Sequence, residues 1–223
     1  MTAHAICFDL DGTLTDPKPG ITRSIRYALE KLGRHAPPED DLTWCIGPPL
    51  LGSFEKLLSG GRDATRALAF DRERYREIGL FENTLYPGIP EVLSELKGSG
   101  HRLFVATSKP KIYARRIADY FDLSRYFVTV HGAELDGARS DKTELLRWLL
   151  AAEKLDRSST PMVGDRSFDM TGARNNAMPS LGVLYGYGSK EELLGAGAAE
   201  LCESPRELAE TLVKLGATGG QPC

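Results

Sequence analysis

Residues 5–16 read AICFDLDGTLTD. An apolar run of strand type, Ala5 to Phe8, leads directly into two acids flanking Leu10, and a Gly-Thr turn follows. In an extended chain, side chains two apart project to the same side, so Asp9 and Asp11 would share one small space. Two carboxylates so placed repel unless a divalent cation or a bound proton neutralises them. Either remedy is chemistry rather than scaffolding. A solvated Asp-Gly turn after a strand would need neither, so the choice rests on the rest of the chain.

Working outward, short apolar runs recur at 4–8 (HAICF), 103–107 (LFVAT), 127–130 (FVTV), 161–164 (PMVG) and 181–185 (LGVLY), each of buried-strand type. Helical patterns separate them from the second run onward. One spans about 89–97 and another 111–120. A third, after SDKTE, aligns Leu145, Trp148, Leu149 and Ala152 at helical spacing. A fourth follows Asp165, and a fifth starts at Ser189, where Glu192 three residues on would complete a capping box. Strands alternating with helices imply an α/β fold, a parallel sheet covered by helices on both faces.

Residues from about 20 to 82 break this alternation, with helical stretches only. GITRSIRYALEKLG sets Ile21, Ile25, Ala28, Leu29 and Leu32 on one side. ATRALAFDRERYREI sets Ala64, Leu68, Tyr75 and Ile78 on another, with Asp71 interrupting the stripe. DPKPG (16–20) and LYPG (85–88) bracket the insert, and two such connectors suggest a hinge pair. The expected organisation is a core of residues 1–16 and 85–223 carrying a small all-helical cap of residues 17–84. The Gly-rich tail GATGGQPC reads as frayed and functionally silent.

Composition narrows the function classes. The 223 residues carry 28 Lys and Arg against 31 Asp and Glu, a net charge of −3, which gives no reason to expect a nucleic acid polymer as partner. No apolar segment is long enough to span a bilayer and no leader pattern opens the chain, so a cytoplasmic monomer or homodimer is expected. Cys7, Cys45, Cys202 and Cys223 show no paired spacing, arguing against a zinc site or disulfide framework. His4, His35, His101 and His131 lack metal-ligand spacing, and GYGSKEELLGAG lacks the third glycine of a dinucleotide fingerprint.

Three of the apolar runs end in reactive side chains. The first delivers Asp9 and Asp11, the second Thr107, Ser108 and Lys109, the fourth Gly164 and Asp165, with Asp169 one helical turn later. Ligands of open parallel sheets bind beyond the carboxyl ends of the strands, so these groups are expected to converge on one pocket, with Lys142 within reach. Taken singly, each has a plain structural reading: Thr107, Ser108 and Asp165 as helix caps, Asp169 as a first-turn acid, Lys142 as a solvated lysine.

Together, DLDGTL, the TSK of 107–109, Lys142 and GDRSFD at 164–169 resemble the four ordered motifs of the haloacid dehalogenase superfamily, and the helical insert is similar to the cap of its first cap class. GPPL (47–50), TSKP (107–110), AELDGARSDK (133–142) and VLYGYGSKEEL (183–193) look most like its phosphoglycolate phosphatase branch, whose relatives include nucleotide 5′-phosphatases. The resemblance implies a Rossmann-like core, a mobile lid and a Mg2+-dependent phosphatase acting on a small phosphorylated metabolite. A doubly negative phosphoryl group admits an anionic nucleophile only with positive charge between them. Magnesium suits a site of Asp9, the main-chain carbonyl of Asp11, and Asp165, with Asp169 in support. Asp9 is then the expected nucleophile and Asp11 the acid and base. Lys142 would bridge nucleophile and phosphate, and Thr107 would donate to a phosphoryl oxygen.

Residues expected to line the substrate are Gly12, Ser108 and Lys109, with Gly47 and Pro48 in the cap loop CIGPPLLG. Lys18, Arg23 and Arg62 are weaker candidates for an anionic substrate, and Trp44 and Phe54 for a base or sugar. A dehalogenase would have no need of Asp11. A phosphomutase keeps every one of these residues, and a phosphate-binding module gains little from a nucleophile and an acid.

Overall fold

In a computed structural model, which describes residues 5–59 and 61–218, the opening run forms strand β1 (Ala5–Phe8), buried at every position. Its side chains alternate between two apolar layers, Ile6 and Phe8 in one, Ala5 and Cys7 in the other, as the two-residue period of a strand requires. Being covered on both faces is why the run is continuously apolar rather than alternating. Truncating a fully buried Phe such as Phe8 costs about 3–5 kcal/mol in cores of this kind.

The chain then makes a two-residue strand β2 (Thr15–Asp16) and enters three helices, α1 (Lys18–Lys31), α2 (Leu50–Leu57) and α3 (Arg62–Glu77). It returns through β3 (Thr84–Leu85), which pairs antiparallel with β2. Both crossings to the helical insert therefore run side by side in one two-stranded ribbon. Ile21, Ile25, Ala28 and Leu29 of α1 are buried as their spacing predicts. Along α3 the buried residues are Ala64, Ala67, Asp71 and Tyr75. Asp71 thus continues the stripe it was expected to interrupt, while Ile78 lies beyond the helix and is exposed.

From β3 the chain alternates through α4 (Ile89–Gly98), β4 (Arg102–Pro110), α5 (Lys111–Tyr120), β5 (Phe127–Ala133), α6 (Lys142–Glu153), β6 (Met162–Gly164), α7 (Ser167–Asn175), β7 (Ser180–Val183), α8 (Lys190–Ala196), β8 (Glu200–Cys202) and α9 (Leu208–Thr218). Six strands form one parallel sheet in the order β5-β4-β1-β6-β7-β8. Residues of α4, α5 and α9 pack on the Ile6 and Phe8 side, those of α6 and α7 on the Ala5 and Cys7 side. The α/β reading holds, with helices on both faces.

The sequence reading missed β8 and α9, and it missed α2, which starts inside the expected cap loop. Leu50–Leu57 and Glu200–Cys202 are too short for periodicity to stand out. At the fifth helix, Ser189 Oγ accepts from the Glu192 N–H at 3.1 Å, but the Glu192 carboxylate turns away to Arg166 and Ser167, so the expected box is half made. His4, Cys223 and the tail from 219 lie outside the described residues. Cys7, Cys45 and Cys202 are buried free thiols. No helix among the described residues is long and apolar enough to cross a membrane.

Candidate active site

β1 is the central strand, flanked by β4 and β6, so the carboxyl ends of these three strands open on one crevice. Asp9, the first residue past β1, is held by its N–H on Val163 O at 2.9 Å. The chain then folds into a tight turn, with Gly12 N–H on Thr15 O at 2.7 Å and Leu14 N–H on Leu10 O at 2.9 Å. Gly12 has φ +85°, and a Cβ there would stand 2.2 Å from Asp165 Oδ2. Only glycine supplies this backbone without strain while letting the two motifs touch. Gly12 therefore spaces the acids; it is not among the residues on the cavity wall.

Four buried carboxyls meet two buried ammonium groups here. Lys142, the first residue of α6, reaches back to Asp9 Oδ1 at 3.0 Å and Asp169 Oδ1 at 2.7 Å, and donates to Ala106 O at 2.8 Å. Lys109, near the end of β4, pairs with Asp11 and lies 4.7 Å from the Tyr75 ring centre. Asp165 accepts from Thr13 Oγ1 at 3.2 Å and from the Tyr187 N–H at 2.9 Å. Asp169 accepts from the Arg166 N–H at 3.1 Å. Ligand oxygens of Asp9, Asp165 and Asp169 all lie within 4.8 Å of one another.

Burial disfavours the charged form of three of these acids. Burial raises the Asp165 carboxyl well above the usual range, and Asp169 and Asp9 add to the rise. Burial also raises Asp169 against the pull of Lys142. Asp11 is raised by burial too, more than Lys109 lowers it. Burial alone would depress the Lys142 ammonium, yet Asp169 and Asp9 hold it above the usual lysine range. With every carboxyl ionised, the cluster carries two negative charges more than its lysines balance. An oxygen-lined, doubly underbalanced pocket fits a hard divalent cation.

The structure brings most of the expected residues together. Asp9, Asp11, Thr107, Ser108, Lys109, Gly47 and Pro48 share the wall of one cavity of about 360 Å³ between the sheet and the helical insert. Lys142, Asp165 and Asp169 are buried beside it. The capping readings of Thr107 and Ser108 fail, since β4 continues to Pro110, α5 has no side-chain cap, and Thr107 Oγ1 instead accepts from the Lys109 N–H at 3.2 Å. Arg166, not Asp165, stands at the N-cap of α7. A solvated Lys142 is ruled out by its 4 % exposure.

Lys18 and Arg23 are spent on surface pairs with Asp40, Glu39 and Glu82, and neither they nor Arg62 is among the cavity-lining residues. Phe54 is core, and Trp44 lies off the cavity wall. His131 is buried against Phe104 and bonded to Glu153. Two features escaped the sequence reading. Lys109 answers the Asp9–Asp11 crowding from within the protein, and Arg166 links the fourth motif to the Ile46 carbonyl of the insert. Neither is signalled by spacing, because both depend on chain segments far apart in sequence.

A family model described as haloacid dehalogenase-like hydrolase matches residues 6–183. The chain belongs to this family. It is 46% identical over 210 residues to a 5′-nucleotidase of Pseudomonas aeruginosa, covering 93% of this chain and 94% of that one. It is 33% identical to a phosphoglycolate phosphatase of Caulobacter vibrioides, covering 88% and 86% respectively. Among solved structures, that of a predicted phosphatase from Clostridium acetobutylicum superposes with a TM-score of 0.92 at 39% identity, over 96% of this chain and all of the other. Haloacid dehalogenase-like membership accounts for the order of the four motifs along the chain.

Proposed function

We propose that this chain is a Mg2+-dependent phosphatase that hydrolyses a small phosphate monoester, phosphoglycolate-like or a nucleoside 5′-monophosphate, through an aspartyl-phosphate on Asp9. One observation carries the reading: Asp9 and Asp11 face one cavity yet are served by different partners, Asp9 by Lys142 and the acids of the fourth motif, Asp11 by Lys109. A mere binding site has no use for two neighbouring carboxyls given separate partners. Family membership and the relatives named 5′-nucleotidase and phosphoglycolate phosphatase support it.

In this reading an Asp9 oxygen attacks phosphorus, and the bond from phosphorus to the alcohol oxygen breaks. Asp11, whose carboxyl burial raises above the usual range, gives a proton to that oxygen as it leaves. Water then attacks the aspartyl-phosphate, Asp11 takes a proton from it, and inorganic phosphate departs with Asp9 restored. Lys142 holds Asp9 in line, and Thr107 donates to a phosphoryl oxygen. Asp9, Asp165, Asp169 and the Asp11 carbonyl would hold Mg2+, which when bound offsets the charge between nucleophile and phosphate.

The insert, taken as residues 17–84, acts as a cap on a core of 1–16 and 85–223. It swings on the β2–β3 ribbon to exclude water from a soluble cytoplasmic metabolite. The test is phosphate release from p-nitrophenyl phosphate with and without Mg2+. Asp9→Asn should lose about three orders of magnitude or more. Turnover retained by Asp9→Asn would refute the nucleophile.

A further inference from the structure

The cavity continues past the paired acids into the insert, and its far wall has a charge pattern of its own. Asp71, midway along α3, is 1 % exposed, lines the cavity, and has an Oδ1 with no hydrogen-bond partner among the described residues. A buried polar atom without a partner calls for one from outside the chain. The other charged groups on that wall are Glu55, Glu134, Asp136 and Arg72. Arg72 donates to Leu135 O at 2.9 Å, Glu134 is paired with Arg139, and the Lys109 ammonium is taken by Asp11. Between and around the acids the wall is apolar, with Ile21, Leu50, Leu68 and Tyr113.

A second carboxylate on the leaving group would bring Asp71 no donor and would set one acid against another. An uncharged group bearing O–H or N–H donors would satisfy Asp71 and cover the apolar side chains. The volume, about 360 Å³, falls in the range of about 300–1,000 Å³ for pockets that enclose drug-sized ligands, more than a two-carbon acid fills.

We propose that Asp71 is a specificity-determining residue that accepts hydrogen bonds from the leaving group, so that the cavity selects phosphate monoesters of uncharged, donor-bearing, partly apolar alcohols, of the nucleoside type, over those carrying a carboxylate. This rests on the phosphatase reading above. Burial pushes the Asp71 carboxyl up to about 7 against the pull of Lys109, so near neutral pH the group serves as an acceptor in either protonation state.

The experiment compares kcat/KM for adenosine and uridine 5′-monophosphates with that for 2-phosphoglycolate, using p-nitrophenyl phosphate as a reference. The wild-type chain should prefer the nucleotides by about 100-fold or more. Asp71→Leu should cut that preference about 10- to 100-fold, mostly through KM for the nucleotides, and Asp71→Asn should raise the relative rate on phosphoglycolate by relieving repulsion. Wild-type turnover of p-nitrophenyl phosphate with equal or better use of phosphoglycolate overturns the proposal and leaves the phosphatase reading standing, whatever the variants do. An unchanged preference in a folded Asp71→Leu overturns it too. Loss of all three activities in the wild type would sink both readings together.

Discussion

Replacing Asp71 by Asn should stabilise the folded chain, and more so as pH rises. The carboxyl is buried in α3, and burial lifts it from the ordinary 3.8 to about 7, with Lys109, Arg72 and Arg74 working in the opposite direction. An acid with a raised folded-state pKa binds its proton more tightly when folded. Its stabilising contribution is complete below about pH 4 and is lost as pH climbs through about 7. Three pH units at about 1.36 kcal/mol each give about 4 kcal/mol of lost stability above neutrality. Asn cannot ionise, so it escapes that loss. Urea titrations in chelator at about pH 5.5 and about pH 8.5 would show the variant's advantage growing by about 2 kcal/mol between them. Taking the difference between variant and wild type cancels the titration of the other buried acids, which both share. An advantage that stays constant over that interval would mean that Asp71 ionises as freely in the folded chain as in the unfolded one, and the account of the cavity wall would fall with it.

Other expectations follow from the same geometry. Asp11→Asn should slow hydrolysis of alkyl phosphates by about 10²- to 10⁴-fold, the usual span for a lost general acid, and aryl phosphates far less; equal losses in steady-state assays would remove Asp11 from proton transfer. Mg2+ at about 100 times its dissociation constant should add about 2.7 kcal/mol of stability, visible as a rise in Tm, and Asp165→Asn should erase most of that rise without reference to turnover. Gly12→Ala should destabilise by about 2 kcal/mol or more, because the new methyl meets Asp165 at 2.2 Å in a left-handed backbone; unchanged unfolding and Mg2+ response would show that the turn relaxes at no cost.

The sheet was legible because its strands are continuously apolar and separated by helices of clear period, and β1, β4, β5, β6 and β7 lie close to where the runs place them. Asp9, Asp11, Thr107 and Asp165 were legible because a parallel sheet puts the carboxyl ends of its strands in one crevice. Helix α3 was legible as a helix, but the meaning of Asp71 was not. A carboxyl on an apolar stripe reads as a defect until the cavity behind it is seen. Lys109 was legible as a neighbour of substrate and illegible as the partner of Asp11, since only the turn at Gly12 sets which lysine each acid meets. Glu192 shows the same limit: its spacing from Ser189 fits a cap, yet its carboxylate bonds Arg166 and Ser167 from a segment some twenty-five residues earlier.

Arg166 ties these observations to motion. Its Nε bonds Glu192 at 3.0 Å, its Nη1 reaches the Ile46 carbonyl of the insert, and its own N–H bonds Asp169. One residue therefore joins α8, the loop before Gly47 and an acid of the buried carboxylate cluster. A Cβ on Gly47 would stand 2.9 Å from Arg166 Cγ, so the loop can close on this side chain only because it ends in glycine. If the insert swings on the β2–β3 ribbon, the guanidinium-to-Ile46 bond must break on opening and re-form on closing, while the N–H to Asp169 bond persists. Closure over the cavity and the seating of Asp169 are then read by the same residue, which couples water exclusion to a complete set of carboxylates around Asp9.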